Sequence, residues 1–140
     1  MSNTDRLMAA LAPIFGVGEL DVDEALIERI GDSLDQISGD EISGEMTADS
    51  SFSTEFHGRE GLEATWADWL ETFKRVTLQL EEVEEIGESV ITFVNQVGTT
   101  RHGVAVEQPS AAVWKFRDGK LFRVEFHLDR DRARASASGA

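Results

Sequence analysis

Downstream of residue 76 the chain reads as one strand after another. TLQLEEVEEI alternates, ESVITFVNQVGTT is β-branched and apolar, and PSAAVWKFRDGKLFRVEFHL has the form of a hairpin. Helical periodicity is confined to the first half. DRLMAALAPIF carries Leu7, Leu11 and Ile14 on one face, with Pro13 limiting its length. DVDEALIERIGDSLDQI opens with Asp21 and Glu24 in capping-box spacing and carries Leu26, Ile30, Leu34 and Ile37 on one stripe. EISGEMTA reads as a first strand with Ile42 and Met46 in phase. GREGLEATWADWLETFKRV repeats Leu62, Trp66, Trp69, Phe73 and Val76 at intervals of three and four, one helical face. Helices, a strand, a helix and then a run of strands predict an α+β domain, with helices covering one face of a mainly antiparallel sheet.

The register of the last hairpin decides which side chains meet inside. A two-residue loop at Asp118-Gly119 pairs Trp114 with Arg123 and Ala112 with Glu125, mixing a large aromatic with charges. A three-residue loop, Arg117-Asp118-Gly119, pairs Trp114 with Phe122 and Ala112 with Val124. The second choice gathers Ala112, Trp114, Phe122, Val124 and Phe126 on one face and sends Val113, Lys115, Arg123, Glu125 and His127 to the other. Segregation favours it.

A length of 140 residues fits one domain with a single sizeable core. The net charge of −14 repels phosphate backbones and anionic lipid, so neither nucleic acid nor membrane is an expected partner. No run reaches the ~18–20 apolar residues of a membrane span. The absence of cysteine excludes disulfides and makes a cytoplasmic location the default. Three scattered histidines without an HExxH pattern or a close pair argue against a metal, and nothing calls for another cofactor.

Three features together resemble one family: the strand ending at Asp49, the helix opening in FHGREGLEATWADWL, and the ending AAVWKFRDGKLFRVEFHLDRD. Their order and spacing resemble a SnoaL-like polyketide cyclase domain of the nuclear-transport-factor-like and ketosteroid-isomerase-like superfamily. The resemblance covers roughly residues 4 to 131. It implies a cone-shaped α+β barrel (cystatin-like), in which a strongly curved sheet wraps a cavity and about three helices pack on its concave side. The expected domain is 1–131, with 132–140 a fraying tail. Relatives of this kind include isomerases, dehydratases, cyclases and binding proteins without catalysis, often paired through the outer face of the sheet.

The resemblance implies two sites. Asp49 stands nine residues before Gly58, the spacing of the general base in ketosteroid isomerases. Those enzymes also use a tyrosine and a protonated aspartate. This chain has no tyrosine, and Ala112 stands where the aspartate would be. Without that oxyanion hole the isomerase mechanism loses its largest contribution, and Asp49 also reads as a strand-end residue. The second site is His127 with Asp129, similar to a His-x-Asp at the end of the last strand in cyclases. The plain alternative puts both on the outer face beside Arg123 and Glu125.

His57 stands just before a helix, and one of Asn95 and Gln96 must face inward. Trp66, Trp69, Phe73, Ala112, Trp114, Val124 and Phe126 are the expected pocket wall, or a filled core. The expected function is a small hydrophobic molecule held in an apolar pocket, with cofactor-independent acid–base chemistry of the isomerase, cyclase or dehydratase type. The alternative is a non-catalytic ligand-binding or protein-interaction dimer.

Overall fold

A computed structural model describes the backbone of residues 2–15, 18–49, 52–71 and 73–139, and their side chains except those of 39–49, 52–56, 69 and 139. In chain order the elements are α1 (Asn3–Leu11), β1 (Leu20–Asp21), α2 (Glu24–Asp35), β2 (Ser38–Asp49), β3 (Phe52–His57) and α3 (Gly58–Leu70). They continue with β4 (Phe73–Ile86), β5 (Ser89–Thr100), β6 (Ala105–Arg117), β7 (Lys120–His127) and α4 (Arg130–Gly139). The strands form one sheet in the order β1-β4-β5-β6-β7-β2-β3. Every pairing is antiparallel except β2 with β7, where Gly44 lies opposite Val124 and Met46 opposite Phe126. Irregularities near Leu80–Glu82 on β4 and Lys115–Phe116 on β6 add curvature, as bulges do.

Alternation along the strands builds two apolar layers. On the concave face Val90 and Val94 of β5, Trp114 and Phe116 of β6, and Val124 and Phe126 of β7 meet Leu7 and Leu11 of α1. Leu26, Ile30 and Leu34 of α2 and Leu62, Trp66 and Leu70 of α3 complete this core. Burying each of these large side chains stabilises by about 1.5–3 kcal/mol. On the convex face Ile91, Phe93, Ala111 and Val113 lie under Ala133 and Ala137 of α4. Arg130 and Arg134 of α4 extend over the Phe93 ring and pair with Glu81 and Glu84 of β4. The expectation of a fraying tail over 132–140 is therefore corrected: small alanines at four-residue spacing let a helix lie flat on a branched apolar face.

The last hairpin solves the register problem by a different route from the expected loop. Arg117 pairs with Lys120, so the loop has two residues, and both Asp118 (φ 54°) and Gly119 (φ 78°) adopt the left-handed conformation of a type I′ turn. The register shifts one step further up, between Phe116↔Leu121 and Lys115↔Arg123. Trp114 consequently faces Val124 and Ala112 faces Phe126. Ala112, Trp114, Val124 and Phe126 are interior as expected. Phe122 is not; it occupies the extra position, half-buried under Arg117, and Leu121 takes the core place.

Other boundaries move for local reasons. The α2 cap is Asp23, whose carboxylate accepts from Leu26 N at 2.9 Å, while Asp21 belongs to β1. Helix α3 stops at Leu70, so Phe73 and Val76 are strand residues. Both positions fit a helical stripe, but Val76, Leu78 and Leu80 also alternate, and the sheet wins. The polar stretch after Asp49 is strand β3, paired with β2. Gly98 permits a close crossing: a Cβ there would lie 2.2 Å from Arg75 O and 2.7 Å from Phe73 Cδ1.

Candidate functional site: the interior of the cone

The concave face holds a small, partly open cavity of about 20 Å³ beneath α3. Trp66 reaches it from α3, Thr92 and Gln96 from β5, Ser110 and Trp114 from β6, and Phe126 from β7, with Phe15 beyond the end of α1 as a half-buried wall. The aromatic rings meet edge to face. Trp66 stands 5.1 Å from Phe126 at 81°, and Trp114 stands 6.4 Å from it at 74°. Such contacts fix ring orientation beyond what area burial would do.

The polar groups of this wall form a short chain. Trp114 Nε1 donates to Thr92 Oγ1 at 2.9 Å, Gln96 Nε2 donates to Ser110 Oγ at 3.3 Å, and Ser110 Oγ donates to Val94 O at 3.1 Å. Trp66 is only 4% exposed, yet its Nε1–H meets no acceptor among the described residues. Buried donors without partners are rare because each forfeits its hydration. Among the described residues the lining contains no ionisable side chain. No group of three potential metal ligands occurs among them either.

The expected pocket residues divide accordingly. Trp66, Ala112, Trp114 and Phe126 line the cavity, whereas Phe73 and Val124 are buried in the adjoining core. The Trp69 and Asp49 side chains lie outside the described residues. The Asp49 backbone ends β2 and pairs with Phe52 across a register shift. Of the two amides, Gln96 is the inward one, while Asn95 turns outward and donates to Glu107. His57 is exposed at the start of α3 and makes no side-chain cap bond.

His127 and Asp129 are not brought together. Asp129 caps α4, its Oδ1 accepting from Asp131 N at 2.9 Å and Arg132 N at 3.3 Å. His127 lies on the convex face beneath α4, 7% exposed, with Nε2 3.3 Å from Glu125 Oε1 and Nδ1 without a partner among the described residues. Glu125 is the centre of that cluster. Arg123 Nε donates to it at 2.8 Å, Lys115 Nζ lies 3.4 Å away, and Ser136 of α4 donates its hydroxyl. Burial alone would raise the Glu125 carboxyl, but hydrogen bonds from His127, Arg123 and Ser136 and the Lys115 charge hold it well below the usual carboxylate range. The alternation Arg123, Glu125, His127 was visible in the sequence; the helix that buries it was not.

A larger, polar groove of about 780 Å³ runs between α2 and α3, with Val22, Ile27 and Ala67 among its lining residues. Arg59 bridges its walls, bonding Asp32 of α2 and, at 3.1 Å, Glu63 of α3. Its guanidinium is raised further by the Asp32 and Glu63 hydrogen bonds. This pairing fastens two helices. No helix is long and apolar enough to cross a membrane among the described residues.

Comparison with known proteins agrees with this architecture. An uncharacterised cystatin-fold protein from Novosphingobium aromaticivorans is 18% identical, with 90% of this chain and 97% of that chain covered and a TM-score of 0.60. TerC, crystallised with polyporic acid, is 17% identical over 99% of this chain and 98% of its own, with a TM-score of 0.65. An NTF2-like protein of unknown function from Burkholderia pseudomallei is 18% identical over the full length of both chains, with a TM-score of 0.62. These likenesses concern the fold. No curated protein sequence matches the chain. The family model for the SnoaL-like domain matches residues 25–124. With most of its length matched and the curved sheet in place, the chain belongs to the SnoaL-like family.

Proposed function

We propose that this domain binds a small, uncharged and largely apolar molecule inside its cone. The observation that carries this reading is the composition of the cavity wall: aromatic rings, neutral hydrogen-bonding side chains and no ionisable group among the described lining residues. Such a wall suits a flat molecule with few polar atoms, which must push lining side chains aside to enter because the space measures only about 20 Å³. Phe15 is the half-buried member of the lining.

The test is ligand-induced thermal stabilisation and tryptophan quenching with neutral bicyclic compounds, in the native chain and in Ala112→Val. Ala112 lines the cavity, and the added methyl groups fill it. Binding in the native chain that is lost in the variant supports the reading. No binding by any compound, together with a more stable variant, would show that the space is only a packing defect.

A second reading is acid–base chemistry with Asp49 as the base. It is favoured by one backbone relationship: β2 runs beside β7 with Met46 opposite Phe126, so the strand that ends at Asp49 borders the cavity wall. Deuterium exchange next to the carbonyl of 1-indanone, abolished by Asp49→Asn with binding retained, would favour the enzyme. Exchange at the solvent background rate in both chains would leave the binding function alone. His127 and Asp129, held under and at the cap of α4, are not needed for either reading.

A further inference from the structure

The groove between α2 and α3 is far larger than the space inside the cone. Its volume of about 780 Å³ lies within the ~300–1,000 Å³ usual for small-molecule sites. At Gly31 the two helices touch, since a Cβ there would overlap the Glu63 carboxylate. The α2 residues of the lining all precede Gly31, so the groove opens toward the amino end of α2. The chain's own arginines close its ends. Arg59 bridges Asp32 of α2 to Glu63 of α3, and Arg101 donates its Nε to the Glu71 carbonyl at 3.2 Å. Between them Glu24 and Glu28 on one wall face Asp68 and Glu71 on the other, with Val22, Ile27 and Ala67 as the apolar surface. These four carboxylates form no ion pair among the described residues, and no lysine, arginine or histidine lies outside those residues.

Helix stability does not account for this arrangement. Asp68 and Glu71 stand at the carboxyl end of α3, where the helix dipole is already negative and the last turn holds no basic residue. Acidic walls facing each other across a groove repel, and a cation between them relieves the repulsion. Arg59 does this at the closed end, where one guanidinium serves carboxylates of both helices. We infer that the open part of the groove binds a small organic cation, an amine or guanidine carried on an apolar body. The charged group sits among Glu24, Glu28, Asp68 and Glu71, and the body lies on Val22, Ile27 and Ala67. A planar guanidinium suits paired carboxylates, and the net charge of −14 draws cations toward them. This site is separate from the interior of the cone and does not depend on the binding function proposed above.

The experiment titrates the native, ¹⁵N-labelled chain with 2-phenylethylguanidine, 2-phenylethanol and 3-phenylpropionate, which share one ring and differ in charge. The guanidine should bind about tenfold more tightly than the alcohol, and the carboxylate should not bind. Backbone amide signals of residues 22–28 and 63–71 should move, while those of β5 and β6 stay. Glu24→Gln with Glu28→Gln should weaken the guanidine about tenfold. Glu60→Gln with Glu88→Gln removes the same charge from outside the groove and should change the affinity by less than about twofold. Ala112→Val, which fills the cone, should leave the affinity unchanged. The amide signals are read in the native chain, so a variant that fails to fold does not remove the test. Equal weakening in the two double variants would overturn the site, because attraction to the acidic surface as a whole would then explain the binding. Equal affinity for guanidine and alcohol, or no binding of the guanidine, would also overturn it.

Discussion

Trp114 and Thr92 hold each other across neighbouring strands, Nε1 to Oγ1 at 2.9 Å, both fully buried. Thr92→Val keeps the volume and the β-branch but removes the acceptor. The orphaned indole N–H should destabilise the domain by about 1–3 kcal/mol, measured by urea unfolding. Trp114→Phe should lose packing as well. The double variant should cost less than the sum, because the second change removes the donor that the first had stranded.

Gly98→Ala should be more damaging than its single methyl suggests. The new Cβ would enter the space held by Arg75 O and the Phe73 ring, and backbone cannot swing aside as a long side chain can. A loss of about 1–3 kcal/mol is expected, read as a lower denaturation midpoint. Phe73→Leu in the same chain should recover part of it by vacating the ring edge.

Glu125 gives stability a pH dependence with a definite sign. Its folded carboxyl titrates below the ordinary value of 4.5, so the unfolded chain takes up its proton first as pH falls. The contribution is therefore complete above about pH 4.5 and is lost progressively below it, as pH falls toward the folded value. Glu125→Gln should cost about 1–3 kcal/mol at pH 7. The gap between the two chains should narrow steadily as pH falls below about 4.5, and should still be open at pH 3, in chemical unfolding.

Removal of residues 130–140 should uncover Ile91, Phe93, Ala111 and Val113, which α4 now covers. The shortened chain should be less stable and should self-associate, measured by light scattering after gel filtration. The outer face was expected to join two copies, and here the chain's own helix occupies part of it. A shortened chain that stays monomeric and as stable as the full one would contradict the cover role of α4.

Much of this fold was legible because the sheet announces itself. Val90 to Gln96 and Ala112 to Trp114 are β-branched and apolar enough to read as strands, but they are buried on both faces, so the inward members, Trp114 and Gln96 included, follow only once the register is fixed. The register itself was only half legible. Segregation identified Ala112, Trp114, Val124 and Phe126 as interior, but a loop of three residues and a turn of two followed by a bulge achieve nearly the same sorting. Helix α4 was hidden because its buried residues are alanines, which carry little hydrophobic signal in a charged tail. The candidate site was legible by residue type rather than by role. Trp66 was named as aromatic wall, whereas its solitary donor depends on which neighbours come within reach, a property of packing alone.

The parallel ladder between β2 and β7 bears on how the molecule comes into being. Gly44 finds its partner Val124 only after most of the chain has been made. Until then the β2 edge that β7 covers in the finished sheet has no neighbour. Contacts so distant along the chain slow folding, and bare edges invite pairing with strangers. The cone should therefore close as one late event, triggered by the RDG turn, and any change that delays that turn should show itself as aggregation during synthesis before it shows as instability of the finished protein.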